Sequence, residues 1–218
     1  MKDYHGRTTN VRGRTTNVRI AVIPGDGIGQ EVAPEGIKAL ETAAELVGGF
    51  RLSFETFPWG CSYYLSHGRM MPQDGLKTLE SFDAIYFGAV GFPSVPDSVS
   101  LRGLRLAICQ GFDQYANVRP SYLLPGVRGP LRDKTVGDVD FVVVRENTEG
   151  EYSGAGGRPH RGSPLEVAVQ TVVFTRVGVE RIMRFAFELA RRRPRKRLAS
   201  VSKSNAQEHI FSMWDEIF

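Results

Sequence analysis

Two short segments of the 218-residue sequence place an arginine at or near the end of an apolar strand. One is Asn117–Pro120, which contains Arg119, and the other is Arg145–Tyr152, which begins with an arginine. Because a guanidinium donates two parallel hydrogen bonds to a carboxylate, two converging arginines would clamp a dicarboxylate. An internal salt bridge, for example to Glu146 or Asp140, explains these arginines equally well, and the segments alone leave both interpretations open.

A third candidate is Lys203, which precedes Ser204 and Asn205 at a predicted junction between a strand and a helix. Ser204 and Gln207 have the spacing of a capping box, which gives Ser204 a structural role. Lys203 has no capping role, and a lysine in a cleft can act as a base when its pKa is lowered. An isolated lysine is more often a surface residue, so Lys203 by itself does not indicate chemistry.

The glycine-rich segment PGDGIG occupies residues 24–29 and lies between a predicted strand and a predicted helix. Glycines at such a junction permit a tight turn and a close approach of the backbone to another group. The spacing is G-x-G-x-G, which differs from the dinucleotide fingerprint G-x-G-x-x-G. The segment is not a P-loop either, since no Lys-Ser/Thr pair follows. A structural turn is therefore favoured over a phosphate site.

Alternating strands and helices must position these candidates. Apolar runs and alternating patterns predict strands at 18–24, 52–57, 84–90, 139–144, 166–174 and 198–203. Helical spacing and stop signals predict helices over 32–47, 73–82, 101–111, 177–193 and 206–218. The order indicates an α/β fold. We expect a flexible extension over residues 1–17, which carries a duplicated GRTTNVR, a domain over 18–116, and a more β-rich domain over 117–218.

Composition narrows the class of protein. A net charge of +4 suits an anionic substrate, and no apolar stretch is long enough to span a membrane. The basic run at 191–197 lacks the aromatic platform of a nucleic-acid site, so a solvated helix end is favoured. Cys61 and Cys109 suggest neither a metal site nor a disulfide framework, and we expect a reducing, cytoplasmic compartment. The Arg- and Thr-rich start leaves a weaker mitochondrial alternative.

Five segments occur in one order along the chain: PGDGIGQEV, GAVGFPSVPD, FDQYANVRP, VVVRENTEGEYSGAGG and SVSKSNA. Together they resemble the β-decarboxylating dehydrogenases, which include the isopropylmalate, isocitrate and tartrate/D-malate dehydrogenases. FDQYANVRP and RENTEGEYSG are most similar to the tartrate/D-malate branch. The resemblance extends from about Arg19 to Phe218 and implies an isopropylmalate dehydrogenase-like α/β fold. In that fold, residues 18–116 would be the first half of a larger cofactor-binding domain, and residues 117–218 would be a smaller, incomplete substrate and dimerisation domain.

The resemblance also implies roles for residues. Arg119 and Arg145 would bind the substrate carboxylates, and Tyr152 would supply a proton to the enol intermediate. Lys203 would help to deprotonate the substrate hydroxyl across the interface of a homodimer. Asn205 would lie near the nicotinamide.

One wall of the cofactor site would be the loop over residues 88–97, with Gly88, Gly91 and Pro93. The implied reaction is the NAD-dependent, Mg²⁺- or Mn²⁺-assisted oxidation and decarboxylation of a small 2-hydroxy diacid such as tartrate or D-malate. A divalent cation would stabilise the developing enolate as a Lewis acid.

Two departures from the family affect these expectations. Many members carry a further substrate arginine where this sequence has Cys109, and we hypothesise that Arg105, one helical turn earlier, takes over that contact. The expected metal-binding aspartates lie beyond Phe218, so no metal ligand is assigned and the larger domain is expected to be incomplete. The alternative function is an inactive truncated remnant that at most binds an anionic ligand or a full-length partner.

Overall fold

The computed structural model describes residues 16–218, and residues 1–15 of the predicted N-terminal extension lie outside the described residues. By its internal contacts the chain divides into a first unit that ends at Ala107 and a second unit, Ile108–Phe218. The division lies before residues 108–115, because Asp113 and Tyr115 contact helical residues of the second unit. The assignment of a cofactor domain and a substrate domain to the two parts stays a prediction.

The first unit contains three strands and several short helices. In chain order they are β1 (Thr16–Gly25), α1 (Ile28–Val47), β2 (Phe50–Thr56), α2 (Cys61–His67), α3 (Gly75–Leu79), β3 (Ala84–Ala89), α4 (Asp97–Ser100), a π-helix (Leu101–Arg105) and α5 (Leu106–Gly111), which crosses into the second unit.

Its sheet is parallel, with the strand order β2-β1-β3. The middle of β1, Ile20–Ile23, is buried, as expected for an apolar central strand of a parallel sheet. Thr16 and Asn17 pair with Phe50 and Arg51. The strand therefore begins at Thr16, whereas the predicted extension ends at residue 17, so the predicted end is two residues too late.

The second unit is built on a two-stranded antiparallel ribbon and two longer helices. Its elements are β4 (Ala116–Tyr122), β5 (Asp140–Glu146), a 3₁₀ helix (Glu151–Ser153), β6 (Gly156–Gly157), β7 (Val169–Gln170), α6 (Arg176–Arg192) and α7 (Glu208–Ile217). Helix α6 buries one apolar face that includes Val179, Ile182 and Met183. None of the helices within residues 16–218 has the length and apolar character needed to cross a membrane.

Three sequence-based expectations in this unit are wrong. The predicted strand at 166–174 is reduced to Val169–Gln170 and an isolated bridge at Val173, because β6 offers only two partner residues. The predicted strand at 198–203 is irregular, and no described strand pairs with it. The predicted capping box is also absent: Gln207 is the N-cap of α7, without a side-chain cap.

The apolar face of α7 is covered in part within the chain. Phe174 lies against Phe211 and Trp214, with ring centroids 5.3 Å and 5.9 Å apart. The indole of Trp214 donates a 2.8 Å hydrogen bond to Ser200 Oγ. These contacts fix α7 beside the segment that carries Lys203.

Candidate functional site

The β4–β5 ribbon places the two candidate arginines on one face. Asn117 lies opposite Arg145, and Arg119 lies opposite Val143. Side chains directly opposite each other in an antiparallel pair share a face, and so do residues two apart on one strand. Asn117, Arg119 and Arg145 therefore point to the same side, with the arginines as diagonal neighbours about 7–8 Å apart.

The guanidinium of Arg145 contacts Tyr152. Arg145 Nη1 lies 3.5 Å from the Tyr152 hydroxyl oxygen, and its central carbon is 5.3 Å from the centroid of the phenol ring. The 3₁₀ helix that carries Tyr152 is held in turn by Gln110, whose Nε2 donates 2.9 Å to the Tyr152 carbonyl. The structure thus brings a cation and a phenol together.

Asn147 completes this arrangement, and the sequence analysis missed it. Its side-chain oxygen accepts hydrogen bonds from Arg145 Nη2 at 3.2 Å and from Asn117 Nδ2 at 3.3 Å. Its amide nitrogen donates 3.2 Å to the carbonyl of Gln114. The available signal was spacing, since Asn147 is two residues after Arg145 and strand alternation turns both to one side.

The two acids considered as internal salt-bridge partners bind other arginines. Glu146 lies 3.7 Å from Arg181, and Asp140 lies 2.6 Å from Arg193. Hydrogen bonding to Asp140 raises the pKa of the Arg193 guanidinium. Both acids therefore form salt bridges, and their partners are an arginine of α6 and the arginine at its C-cap.

Glu146 and Glu149 shape the loop between Arg145 and Tyr152. The Glu146 carboxylate accepts hydrogen bonds from the backbone amides of Thr148 and Glu149 at 2.8 Å and 2.7 Å. Glu149 accepts from the amide and hydroxyl of Thr175, the N-cap of α6. These acids have structural roles in the segment that holds Tyr152.

Lys203 and Asn205 are exposed and lie in the turn region before α7. The carbonyl of Lys203 accepts hydrogen bonds from the amides of Ala206 and Gln207. Among residues 16–218, no hydrogen bond or ion pair joins the side chains of Lys203 and Asn205 to Arg119, Arg145 or Tyr152. The role of Lys203 across a dimer interface and that of Asn205 near a nicotinamide stay predictions.

In the first unit, the glycine-rich turn folds around the buried carboxylate of Asp26. That carboxylate accepts hydrogen bonds from the amides of Cys61 at 2.8 Å and Gly91 at 3.1 Å. A side chain at Gly25 would overlap the carbonyl of Ala89, and one at Gly88 would overlap that of Pro24. The structural interpretation of this turn is supported by these contacts.

The predicted cofactor residues of the first unit therefore have structural contacts of their own. The amide of Gly91 is bound by Asp26, and Pro93 lies in an exposed turn closed by a bond from Val95 N to Phe92 O. The roles of Gly88, Gly91 and Pro93 in a cofactor site stay predictions. Arg105 ends the π-helix and is half-buried, and its substrate contact stays a prediction.

Neither cysteine belongs to a metal cluster. Burial of Cys61, together with its hydrogen bond to Asp26, raises the pKa of the thiol to about 12. Within the described part of the chain, no group of three or more His, Cys, Asp or Glu residues could hold a metal ion. Residues 16–218 thus provide no metal-binding cluster of their own.

Comparison with known proteins gives a consistent set of relatives. A sequence model of the isocitrate/isopropylmalate dehydrogenase family matches residues 19–218. A probable tartrate dehydrogenase/decarboxylase of Agrobacterium vitis is 61% identical over 199 residues, which are 91% of this chain and 56% of that protein. The D-malate dehydrogenase (decarboxylating) of Escherichia coli K12 is 58% identical, with 91% and 55% covered.

A solved structure shows the same fold. The crystal structure of isocitrate dehydrogenase from Methylococcus capsulatus matches with a TM-score of 0.72 at 29% identity. The match covers 92% of this chain and 55% of that one. The chain spans about half the length of the curated relatives it matches.

Proposed function

This chain belongs to the isocitrate/isopropylmalate dehydrogenase family, and on that premise we propose that its β4–β5 face binds a small 2-hydroxy diacid of the tartrate or D-malate class. The proposed activity is oxidation and decarboxylation of that diacid, as the names of the curated relatives suggest. The observation that carries the proposal is the common face of Arg119 and Arg145, with the Tyr152 phenol against the Arg145 guanidinium.

The two arginines bind and orient the substrate. Like charges on one sheet face repel each other, so Arg119 and Arg145 favour a dianion that lies between them. Each guanidinium can donate two parallel hydrogen bonds to a carboxylate, which fixes the orientation of the diacid as well as its position. The net charge of +4 adds a long-range attraction for the same ligand.

The proposed reaction needs one proton acceptor and one proton donor from the protein. Oxidation removes the hydroxyl proton and a hydride from C2, and the resulting 2-oxo acid loses its β-carboxylate as CO₂. Tyr152 then gives its hydroxyl proton to the enol carbon, and Lys203 of a second copy is the proposed acceptor of the first proton. NAD is the proposed hydride acceptor, and Mg²⁺ or Mn²⁺ is the proposed Lewis acid.

A spectrophotometric assay tests the proposed activity. The purified chain is mixed with NAD, Mn²⁺ and either D-malate or tartrate, and NADH is followed by its absorbance. Succinate, which lacks the 2-hydroxyl, is the control substrate, and Tyr152→Phe is the control variant. NADH that forms only with the hydroxy diacids supports the proposed activity.

Binding without turnover is the alternative outcome. If D-malate binds but no NADH forms, the chain acts as a binding fragment and the proposed activity is rejected for it. If neither occurs, the proposal for the β4–β5 face is wrong.

Light scattering tests the proposed homodimer, for which we expect twice the chain mass of 24.2 kDa. A cytoplasmic location is likewise proposed.

A further inference from the structure

Asn147 is a buried polar side chain at the end of the ribbon. It is 3% exposed, and the other buried polar residues among 16–218 are Asp26 and Ser100. Burying an amide is unfavourable unless both its oxygen and its nitrogen find partners. Asn147 meets this condition with three hydrogen bonds, two of them to side chains on the proposed substrate face.

The partners of Asn147 tie the two strands of the ribbon together. Its oxygen receives hydrogen bonds from Asn117 on β4 and from Arg145 on β5, which lie directly opposite each other. Its nitrogen is anchored to the carbonyl of Gln114, just before β4. A single amide therefore fixes the Arg145 fork relative to the neighbouring strand that carries Arg119.

Both terminal nitrogens of the Arg145 guanidinium have a side-chain neighbour. Asn147 accepts from Nη2, and Tyr152 lies against Nη1. The amide oxygen of Asn147 is neutral, so it orients the guanidinium without cancelling its charge. A carboxylate at the same place would form an ion pair with Arg145 and compete with a dianionic ligand.

We propose that Asn147 is a positioning residue that orients Arg145 for recognition of a dicarboxylate and, because it is neutral, places no negative charge beside it. The inference rests on the proposed function of the β4–β5 face. It predicts that the neutrality of residue 147 is as important as its ability to accept hydrogen bonds.

Calorimetric titration of D-malate into the wild-type chain and three variants tests this inference. Asn147→Ala removes the acceptor, and we expect about 10-fold weaker binding. Asn147→Asp keeps the shape and the acceptor but adds a negative charge, and we expect about 100-fold weaker binding. Asp26→Asn removes one acceptor of a buried carboxylate in the first unit without touching Arg145, and we expect binding within about twofold of wild type.

The control separates positioning from general destabilisation. Thermal unfolding is measured for every variant, and binding is compared at a temperature where all are folded. Equal weakening in Asn147→Ala and Asp26→Asn would overturn the inference, and so would wild-type affinity in Asn147→Asp. If Asn147→Ala does not fold, the isosteric Asn147→Asp still decides the question of charge.

A ligand-free measurement separates this inference from the proposed function. The guanidinium NMR signals of Arg145, assigned with Arg145→Lys, report how firmly the fork is held. We expect broadening or faster exchange in Asn147→Ala and no change in Asp26→Asn. Unchanged signals would overturn the inference. Altered signals in a chain that does not bind D-malate would support the hold on Arg145 and reject the proposed function.

Discussion

The two units each contain a buried polar side chain that organises a loop, but the groups that these side chains bind are different. In the first unit, the Asp26 carboxylate binds backbone amides of Cys61 and Gly91. In the second unit, the Asn147 amide binds the side chains of Arg145 and Asn117. The first arrangement holds the backbone, and the second holds side chains that could meet a ligand.

The surroundings of the two sites reinforce this difference. Strand β1 lies between β2 and β3, and its middle residues are buried, so packing constrains their side chains. The β4–β5 ribbon has two strands, and Arg119 on it is exposed to solvent. The glycine-rich turn is the more conspicuous motif in the sequence, yet the side chains suited to substrate binding are concentrated on the ribbon.

The largest expected effect comes from the close backbone approach in the first unit. Gly25 and Gly27 both have positive φ, at 76° and 49°, but only at Gly25 would a side chain overlap another backbone group. We expect Gly25→Ala to lower the free energy of unfolding by about 4 kcal/mol and Gly27→Ala by about 1 kcal/mol. Urea unfolding of both variants measures this, and equal losses would contradict the packing argument.

Removal of the arginine fork should have the next largest effect, on binding. We expect Arg145→Ala to weaken D-malate binding about 100-fold, or about 3 kcal/mol, because a charge-assisted pair is lost. Arg145→Lys keeps the charge without the fork and should lose about 10-fold. Arg193→Ala, which removes an arginine paired with Asp140, is the control and should stay within about twofold. Calorimetry measures all three, and a similar loss for Arg193→Ala would indicate nonspecific charge attraction.

Asp26→Asn tests the structural role assigned to the first unit. The amide keeps one acceptor oxygen, so one of the two bound backbone amides loses its partner, and we expect about 2 kcal/mol lower stability. Asp138→Asn is the control, because Asp138 also accepts a backbone amide, from Thr135, but at an exposed position. Its effect on chemical denaturation should be much smaller. D-malate affinity should stay unchanged in Asp26→Asn.

The smallest predicted effect is a pH dependence that originates at Cys61. The folded thiol has its pKa raised to about 12 from 9.0, so alkaline pH ionises the unfolded chain first. Stability is therefore fully present below pH 9 and falls as pH rises toward 12. Between pH 7 and 10 we expect wild type to lose about 1 kcal/mol more than Cys61→Ala. Denaturant titrations at each pH measure this, with Cys109→Ala expected to behave as wild type.

The elements that the sequence predicted well are those whose own residues determine them. The apolar run of β1, the helical spacing of α1 closed by Gly48, and the stop at Pro194 after α6 are local signals. The family profile and the solved structure confirm the α/β fold that the five ordered segments implied.

The features that the sequence missed depend on contacts between distant residues. Helix α2 begins where the amide of Cys61 meets Asp26, 35 residues earlier, and no apolar periodicity marks it. The segment 198–203 is apolar enough for a strand but has no described partner strand. In the sequence, Asn147 is one polar residue among several, because its hydrogen-bond partners Asn117 and Gln114 are about 30 residues away along the chain.

The site was predictable to the extent that strand register could be inferred. The β4–β5 pairing puts Arg119 and Arg145 on one face, and Tyr152 contacts Arg145, while the substrate roles of all three stay predictions. Lys203 and Asn205 could not be related to that face, because the predicted role of Lys203 depends on a second copy and that of Asn205 on a nicotinamide. Gly88 and Gly91 carry backbone constraints that a sequence pattern does not distinguish from cofactor binding.

The most direct test of the β4–β5 face is a titration of the isotope-labelled chain with D-malate, followed by amide and guanidinium NMR signals. The account predicts shifts concentrated at Asn117, Arg119, Arg145, Asn147 and Tyr152, with the signals around Asp26 unmoved. Shifts concentrated in the first unit, or the absence of any shift at millimolar D-malate, would contradict it.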